Sequence, residues 1–542
     1  MKPWQWFLKT GDRHAGLAAA LIVLAGLAYR FRVAAEAFLN PEEAFHSMLS
    51  ANGDFTWLAA TDIKFSHPPL LFFLLRFVQS FGYSEIVMRT PIVLAGGLAP
   101  WLLFLWVRRI RGSAEGLIAL AILVISPNLF LLSTQLRGFM LVVFFYCLAL
   151  YCLQRALDEN SAFFMALFSA ALCLAALSEY MAVIVCLATG LYCLLEIRSR
   201  SLASSVKWAW AAGQAVVAAV YVALAVLRLP TSWYSRVAQP LGYLEGQYGG
   251  HAGSPLAFFL EQTAQAFRYI FSSPITGAIG LVSFCFGVYF LWSGRFHPTG
   301  ERGKTAAVLF ITPFLLGGAV ALLDVYPYGG SRHSLYLAPL AAAGAGIGLA
   351  PLCKRQAAVV CLAVAMLGPF WFLRGEWESA SMPRMRKLRE PFHQSLQFLK
   401  RNVPPGSVIL ADGESAMLLS HYFDPSAKWP RGIKSRTLIR AGSYAVFKSR
   451  WTFEGFDDIR ADLAELKTQF NLPSERPVWV FDSGFHTAAR LEWLRDPAIR
   501  KKLAVAREFG LGTFVFLAPP GFESSGPRAA PPGPRRRRTV KP

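Results

Sequence analysis

Long apolar runs separated by short polar connections fill the first 375 residues, and a finer alternation of apolar and polar positions follows them. A helix that crosses a bilayer needs about 20 mainly apolar residues. On that scale the runs near 14–30, 86–107, 114–134, 138–156, 161–178, 180–197, 207–228, 273–293, 305–323, 334–351 and 356–374 each predict a membrane-spanning helix, eleven in all. The first is read as an anchor, because no A-x-A-like cleavage site followed by a soluble domain comes after it. The run at 68–82 is shorter, opened by Pro68-Pro69 and interrupted by Arg76. It is read as an interfacial helix on the outer face, inside a long first external loop over 30–85. Between 376 and 518 the pattern changes: strand-like runs at 407–411, 478–481 and 513–517 alternate with helical patterns near 391–401, 454–470 and 485–502. That alternation predicts a small α/β domain with a largely parallel sheet. From 519 to 542 the chain is rich in Pro, Gly and Arg and is read as a disordered tail. No internal repeat is evident, which weighs against a transporter built from duplicated halves.

Composition agrees with the pattern. Of 542 residues, 54% are apolar and only 16% charged, against about 25% charged in soluble proteins, so the fold class is an α-helical polytopic membrane protein. The net charge of +21 would suggest a nucleic-acid partner if the cations were clustered on one face. Instead they fall in alternate connections: Lys2, Lys9 and Arg13; Arg108, Arg109 and Arg111; Arg155; Arg198, Arg200 and Lys207; Arg295, Arg302 and Lys304; Lys354 and Arg355. Basic loops stay in the cytoplasm. This predicts a multi-pass protein of the inner or plasma membrane with a cytoplasmic N-terminus, an extracytoplasmic C-terminal domain and no nucleic-acid partner. The eight cysteines, Cys147, Cys152, Cys173, Cys186, Cys193, Cys285, Cys353 and Cys361, all lie in or at the ends of apolar runs, which argues against a disulfide framework or a thiolate metal site.

Charges beside the hydrocarbon are costly, so those on the predicted external side carry the most information. Asn40-Pro41-Glu42-Glu43-Ala44-Phe45-His46 follows the first span. Desolvation would raise either carboxylate toward the range useful to a general base. A helix start with acidic residues in its first turn would account for the same segment. Lys64-Phe65-Ser66-His67-Pro68-Pro69 opens the interfacial helix, with His67 at its mouth. Arg137, in Gln135-Leu136-Arg137-Gly138-Phe139, and Arg332 with His333, in Tyr326 to His333, stand at external ends of spans. The planar guanidinium suits paired hydrogen bonds to phosphate oxygens, and ordinary snorkelling is the competing explanation. Glu179-Tyr180 occupies a tight external turn.

Taken in order, these segments resemble the glycosyltransferase family 39 superfamily, which includes protein mannosyltransferases and the lipid A aminoarabinose transferase and has a membrane-embedded GT-C fold. The matching stretches are Pro41-Glu42-Glu43-Ala44-Phe45, His67-Pro68-Pro69-Leu70, Ser84-Glu85-Ile86-Val87-Met88-Arg89-Thr90-Pro91, Ser126-Pro127 with Gln135 to Phe139, and Tyr326 to Pro339, spread over residues 15 to 375. Glu42 stands where the family usually has Asp, and His46 where it usually has an aromatic residue.

The resemblance implies a GT-C-like catalytic domain over 1–375, with the α/β domain at 376–518 outside the membrane. It implies inverting transfer of a sugar from a polyprenyl-phosphate donor to a glycan, lipid or protein acceptor. Glu42 would be the base and Glu43 would position it. Arg137, Arg332 and His333 would hold the departing lipid phosphate, while His46, His67, Glu179, Tyr180 and Tyr326 would line the site. No cofactor is required, which agrees with the absence of a Gly-rich phosphate loop. Asp62 and His67 could contact a divalent metal, but two residues do not make a site. A polytopic transporter and a non-catalytic membrane scaffold are the alternatives.

Overall fold

A computed structural model describes residues 3–51, 68–237, 242–249, 253–294, 301–352, 381–427, 437–449, 456–473, 475–485 and 505–522, with 453, 501 and 503. The chain divides into two units, Met1–Ala37 with Phe55–Met382, and Phe38–Asp54 with Pro383–Pro542.

The first unit is helical. Its elements are α1 (Pro3–Glu36), α3 (Leu70–Gln79), α4 (Glu85–Ile110), α5 (Ser113–Ile125), α6 (Pro127–Leu132), α7 (Phe139–Asp158), α8 (Ala162–Ser178), α9 (Ala182–Ser199), α10 (Ser204–Val237), α11 (Pro255–Phe271), α12 (Pro274–Ser293), α13 (Glu301–Leu322) and α14 (Ala338–Leu349). Among the described residues, seven helices are long and apolar enough to cross a membrane, on α1, α4, α7, α9, α10, α12 and α13. Three expected spans differ in form. The run at 161–178 is α8, one of the shorter apolar helices. The run at 114–134 breaks at Ser126, because Pro127 drives the preceding residue out of the helical region, and the helix restarts with Pro127 in its first turn. The run at 334–351 begins as the 3-10 turn Arg332–Leu337 and continues as α14. The eleventh expected span, 356–374, lies outside the described residues.

Two buried arginines tie this unit together. Arg30 donates through Nε to Ser133 Oγ (2.8 Å), and through its two terminal nitrogens to the carbonyls of Gly26 and Val124 (3.2 Å each). Arg89, which takes part in the family resemblance, donates to the carbonyls of Ala34 and Ala37 at 2.7 Å. It therefore satisfies acceptors that the end of α1 would otherwise leave unpaired in an apolar setting.

The second unit joins α2 (Pro41–Ala51) to α15 (Ser381–Asn402), α16 (Gly413–Phe423), α17 (Phe456–Gln469) and six strands: β1 (Val408–Ala411), β2 (Thr437–Ala441), β3 (Tyr444–Lys448), β4 (Val478–Ser483), β5 (Val505–Gly510) and β6 (Thr513–Ala518). The sheet order is β2-β3-β1-β4-β6-β5. Only β3-β1 and β1-β4 are parallel; β2-β3, β4-β6 and β5-β6 are antiparallel. The sheet is thus mixed, not largely parallel as expected, because tight turns at Gly442-Ser443 and Leu511-Gly512 make hairpins of β2-β3 and β5-β6. Val408, Leu410, Phe447, Val480, Phe514 and Phe516 form one apolar core with Ile459, Leu463 and Leu466 of α17, while α2 packs against α16. The helical pattern expected at 485–502 and the tail at 519–542 lie largely outside the described residues.

Candidate active site

In the helical unit, remote turns converge at one end of α7. Residues 133–138 link α6 to α7, and Glu179-Tyr180-Met181 links α8 to α9. The two turns touch at Gly138, where a Cβ would lie 2.6 Å from the carbonyl oxygen of Ser178 and 3.0 Å from Glu179 Oε1. Only glycine permits that approach. It keeps Arg137 one residue away from the Glu179 carboxylate, and both side chains are buried. The next residue, Phe139, carries the other half of the cluster. The Arg332 guanidinium lies 5.7 Å from the Phe139 ring centroid, and the His333 imidazole meets the same ring edge to face at 5.7 Å. The Tyr326 hydroxyl is 2.7 Å from His333 Nδ1.

Helix α11 backs this cluster. Its Tyr269 phenol, pushed up to about 12 by burial, is opposed in that shift by both Arg332 and Arg137. Both cations therefore act on one buried hydroxyl. The end of α11 is fastened to the break between α5 and α6, where Ser126 Oγ donates to the Ile270 carbonyl (2.6 Å) and Asn128 Nδ2 to the Tyr269 carbonyl (2.7 Å). The loop before Arg332 is fastened as well: Tyr328 OH pairs with Thr263 Oγ1 at 2.7 Å, and Ser331 Oγ donates to Gln247 Oε1 at 2.7 Å.

The carboxylates lie in the second unit. Asn40 caps α2, and a reciprocal box closes its first turn: the Glu43 N–H donates to Asn40 Oδ1 (2.9 Å), and the Asn40 N–H donates to Glu43 Oε2 (2.8 Å). Glu43 is fully buried in this role, whereas Glu42 is exposed beside it. His46 is buried on the same helix. His67 and Asp62 lie outside the described residues. The structure therefore brings Arg137, Glu179, Arg332, His333 and Tyr326 together in one unit and sets Glu42, Glu43 and His46 on one helix of the other.

Residues 66–225 match the family model described as dolichyl-phosphate-mannose-protein mannosyltransferase. The fold is similar to that of the Archaeoglobus fulgidus oligosaccharyltransferase in complex with Zn and sulfate, at 12% identity and a TM-score of 0.50 over 89% of this chain and 71% of that one. The chain shares this membrane-embedded GT-C fold. Similarity is also found to ArnT from Cupriavidus metallidurans in the apo state (14% identity, 96% of this chain and 100% of that chain, TM-score 0.49). The same protein bound to undecaprenyl phosphate gives 14% identity, 94% and 99% coverage, and a TM-score of 0.49. No curated protein matches the chain.

Sequence reasoning missed two members of this cation cluster. Phe139 was read only as part of a motif, yet its ring is the common wall for Arg332 and His333. Tyr269 lies between the spans expected at 207–228 and 273–293. Its one signal is the helical spacing of Phe258, Gln262, Ala266, Phe267 and Ile270, which form the buried face of α11. Among the described residues, no group of three or more His, Cys, Asp or Glu could hold a metal ion.

Proposed function

We propose that this protein is a membrane glycosyltransferase that moves a sugar, with inversion, from a polyprenyl-phosphate donor to an acceptor on the extracytoplasmic face of the membrane. The observation that carries the proposal is the convergence of two cations on one place: Arg332 and His333 flank the Phe139 ring, and Arg332 and Arg137 both bear on the Tyr269 phenol. Two guanidinium groups fixed at the ends of apolar helices suit the phosphate of a lipid delivered within the bilayer. The family described for residues 66–225 is itself named for a lipid-phosphate sugar.

In this mechanism the acceptor hydroxyl gives its proton to Glu42 and attacks the anomeric carbon opposite the lipid phosphate. The C–O bond to phosphate breaks as the new glycosidic bond forms, so a single displacement inverts the centre. Charge develops on the departing phosphate, where Arg137 and Arg332 stabilise it as fixed cations. His333 adds a ring nitrogen whose partner nitrogen is engaged by Tyr326. Glu42 is favoured over Glu43 as the base because Glu43 is committed to the cap of α2, so Glu43 positions its neighbour by holding the turn. His46 and Tyr180 are assigned to the lining of the site, with Glu179 supporting the Arg137 turn. The acceptor is a glycan, a lipid or a protein, and the reaction assigns no task to a cofactor.

Orientation follows the charge distribution. The end of α7 opposite Phe139 carries Arg155, paired with Glu159 at 2.8 Å, and Arg109 of α4 meets the same carboxylate at 2.8 Å. That basic end suits the cytoplasm. The test incubates the purified full-length chain with radiolabelled polyprenyl-phosphate sugars and a membrane extract. Label is expected to move from the lipid to an acceptor, leaving free polyprenyl phosphate. Donors that stay intact throughout would overturn the proposal.

A further inference from the structure

We infer that the C-terminal α/β unit sets the catalytic carboxylate, with Tyr422 and Phe392 as positioning residues for Glu42. With Glu42 as the base proposed above, what matters is how the chain enters α2. It enters through Phe38 and Leu39, both fully buried. The Leu39 N–H donates to the Tyr422 hydroxyl at 2.9 Å, a partner 383 positions away in the chain. The Phe38 ring stacks on Phe392, with centroids 4.8 Å apart and planes 13° from parallel. Phe392 meets Tyr422 edge to face at 5.2 Å and Phe481 of β4 at 6.2 Å. One aromatic cluster, built from α15, α16 and β4, therefore grips the two residues immediately before the cap.

The grip passes to Glu42 through a short, stiff path. Asn40 follows Leu39 and is locked to Glu43 by the reciprocal hydrogen bonds of the cap. Pro41 pre-sets the backbone of the first helical position, and Glu42 is the next residue. Once Leu39 is held and the first turn is closed, the direction of the Glu42 Cα–Cβ bond is settled. A reacting group displaced by about 1 Å can cost roughly a hundredfold in rate. The arrangement gives the C-terminal unit a task besides any contact with acceptor: without its hydroxyl at Tyr422, the Leu39 N–H is a buried donor lacking its acceptor.

Tyr422→Phe is the sharpest probe, since it keeps the ring and its packing and removes only that acceptor. Full-length Tyr422→Phe is expected to lose about tenfold in kcat, the size of effect an orphaned buried donor produces, with the KM for donor unchanged. A readout that general damage would not reproduce comes from repeating the change in a Glu42→Gln background. There the residual rate should shift by no more than about twofold, because two changes that act through one group are not additive. Equal losses in both backgrounds, or an unaltered kcat in Tyr422→Phe, would overturn the inference. Full activity in Glu42→Gln would instead remove Glu42 as the base. Amide exchange over residues 38–51 then judges the grip by itself: faster exchange in Tyr422→Phe supports it, and unchanged exchange overturns it.

Discussion

The helical unit and the α/β unit hold the groups proposed to react by opposite means. Arg137 and Arg332 stand in turns whose shape is imposed from outside, by Gly138 against Ser178 and Glu179 and by Phe139 against Arg332 and His333. Glu42 stands on a helix that closes its own first turn with Asn40 and Glu43, is entered through Phe38 and Leu39, and packs against α16. A second contrast lies within the helical unit. Arg30 and Arg89 donate to backbone carbonyls and a serine, whereas Arg332 lies over the Phe139 ring and acts with Arg137 on the Tyr269 phenol at one end of α7. Arginines are thus seen in two settings here, one set on helix carbonyls and Ser133 and the other beside Phe139 and Tyr269.

The comparison breaks most visibly at the carboxylates. Glu42→Gln should lower initial rates of sugar transfer by about 100- to 10,000-fold, the range for removal of a general base, while Glu43→Gln stays near the parent rate because glutamine also completes a capping box. A deep loss in Glu43→Gln with little change in Glu42→Gln would exchange their roles.

Next are the cations. Arg137→Lys and Arg332→Lys should each weaken donor binding, measured by titration of labelled lipid, by roughly ten- to a hundredfold, since a lysine keeps the charge without the fork. Unchanged binding in both would make them membrane anchors. Arg30→Lys should behave differently, because one ammonium cannot serve Ser133, Gly26 and Val124 at once. It should lower thermal stability by about 1–3 kcal/mol with donor affinity intact. Loss of donor affinity there would erase the distinction between the two kinds of arginine.

Gly138→Ala should cost about 1–3 kcal/mol through overpacking against Ser178 and Glu179, with a matching fall in transfer rate, and parent-like activity would show that the Arg137 turn does not depend on that contact. The smallest effect is expected at Asp412, the N-cap of α16. Burial, reinforced by Asp482, holds its carboxyl well above the usual range, against the opposing hydrogen bond from the Ser415 N–H. The native state therefore binds this proton more tightly than the unfolded chain. Its contribution to stability is complete below the ordinary carboxyl range near about pH 4 and is lost as pH rises toward the raised value. Asp412→Asn keeps the cap and should flatten that decline in thermal melts. An unchanged pH dependence would place the proton elsewhere.

Much of the architecture was legible beforehand, because a span announces itself by length and apolarity alone. The runs that became α4, α7, α9, α12 and α13 needed no partner to be recognised. The break at Ser126-Pro127 carried its own warning in the proline, and the box between Asn40 and Glu43 was foreshadowed by a helix start with acidic residues in its first turn. Strands β2, β3 and β5 were missed for a physical reason. Thr437–Ala441 and Tyr444–Lys448 include Arg440 and Lys448 and are separated by a two-residue turn, and Val505–Gly510 is a largely exposed edge. β2 and β5 lack the continuous apolar run that β1 and β4 show, and β3 carries its own only over Tyr444–Phe447, ending at Lys448. Helix α16 was missed for the opposite reason: its polar Glu414, Ser415, Ser420 and His421 are buried together with its apolar residues, so no amphipathic contrast survives to be read.

Sequence alone determined that this chain is a polytopic membrane protein with basic connections between apolar runs, an α/β region after them, and arginines and carboxylates near span ends. Those are properties of hydropathy and charge, which act residue by residue. Tertiary structure decided which of those charges share a place. It joined Phe38–Asp54 to the C-terminal unit rather than to the helices that flank it in sequence, gathered Arg137, Arg332 and Tyr269 from three distant segments, and gave Glu43 to a cap while leaving Glu42 exposed. Such assignments depend on ring contacts, close approaches at glycine and single hydrogen bonds between residues as far apart as Leu39 and Tyr422. Their strength comes from distance and orientation in space, which neighbours along the chain do not encode.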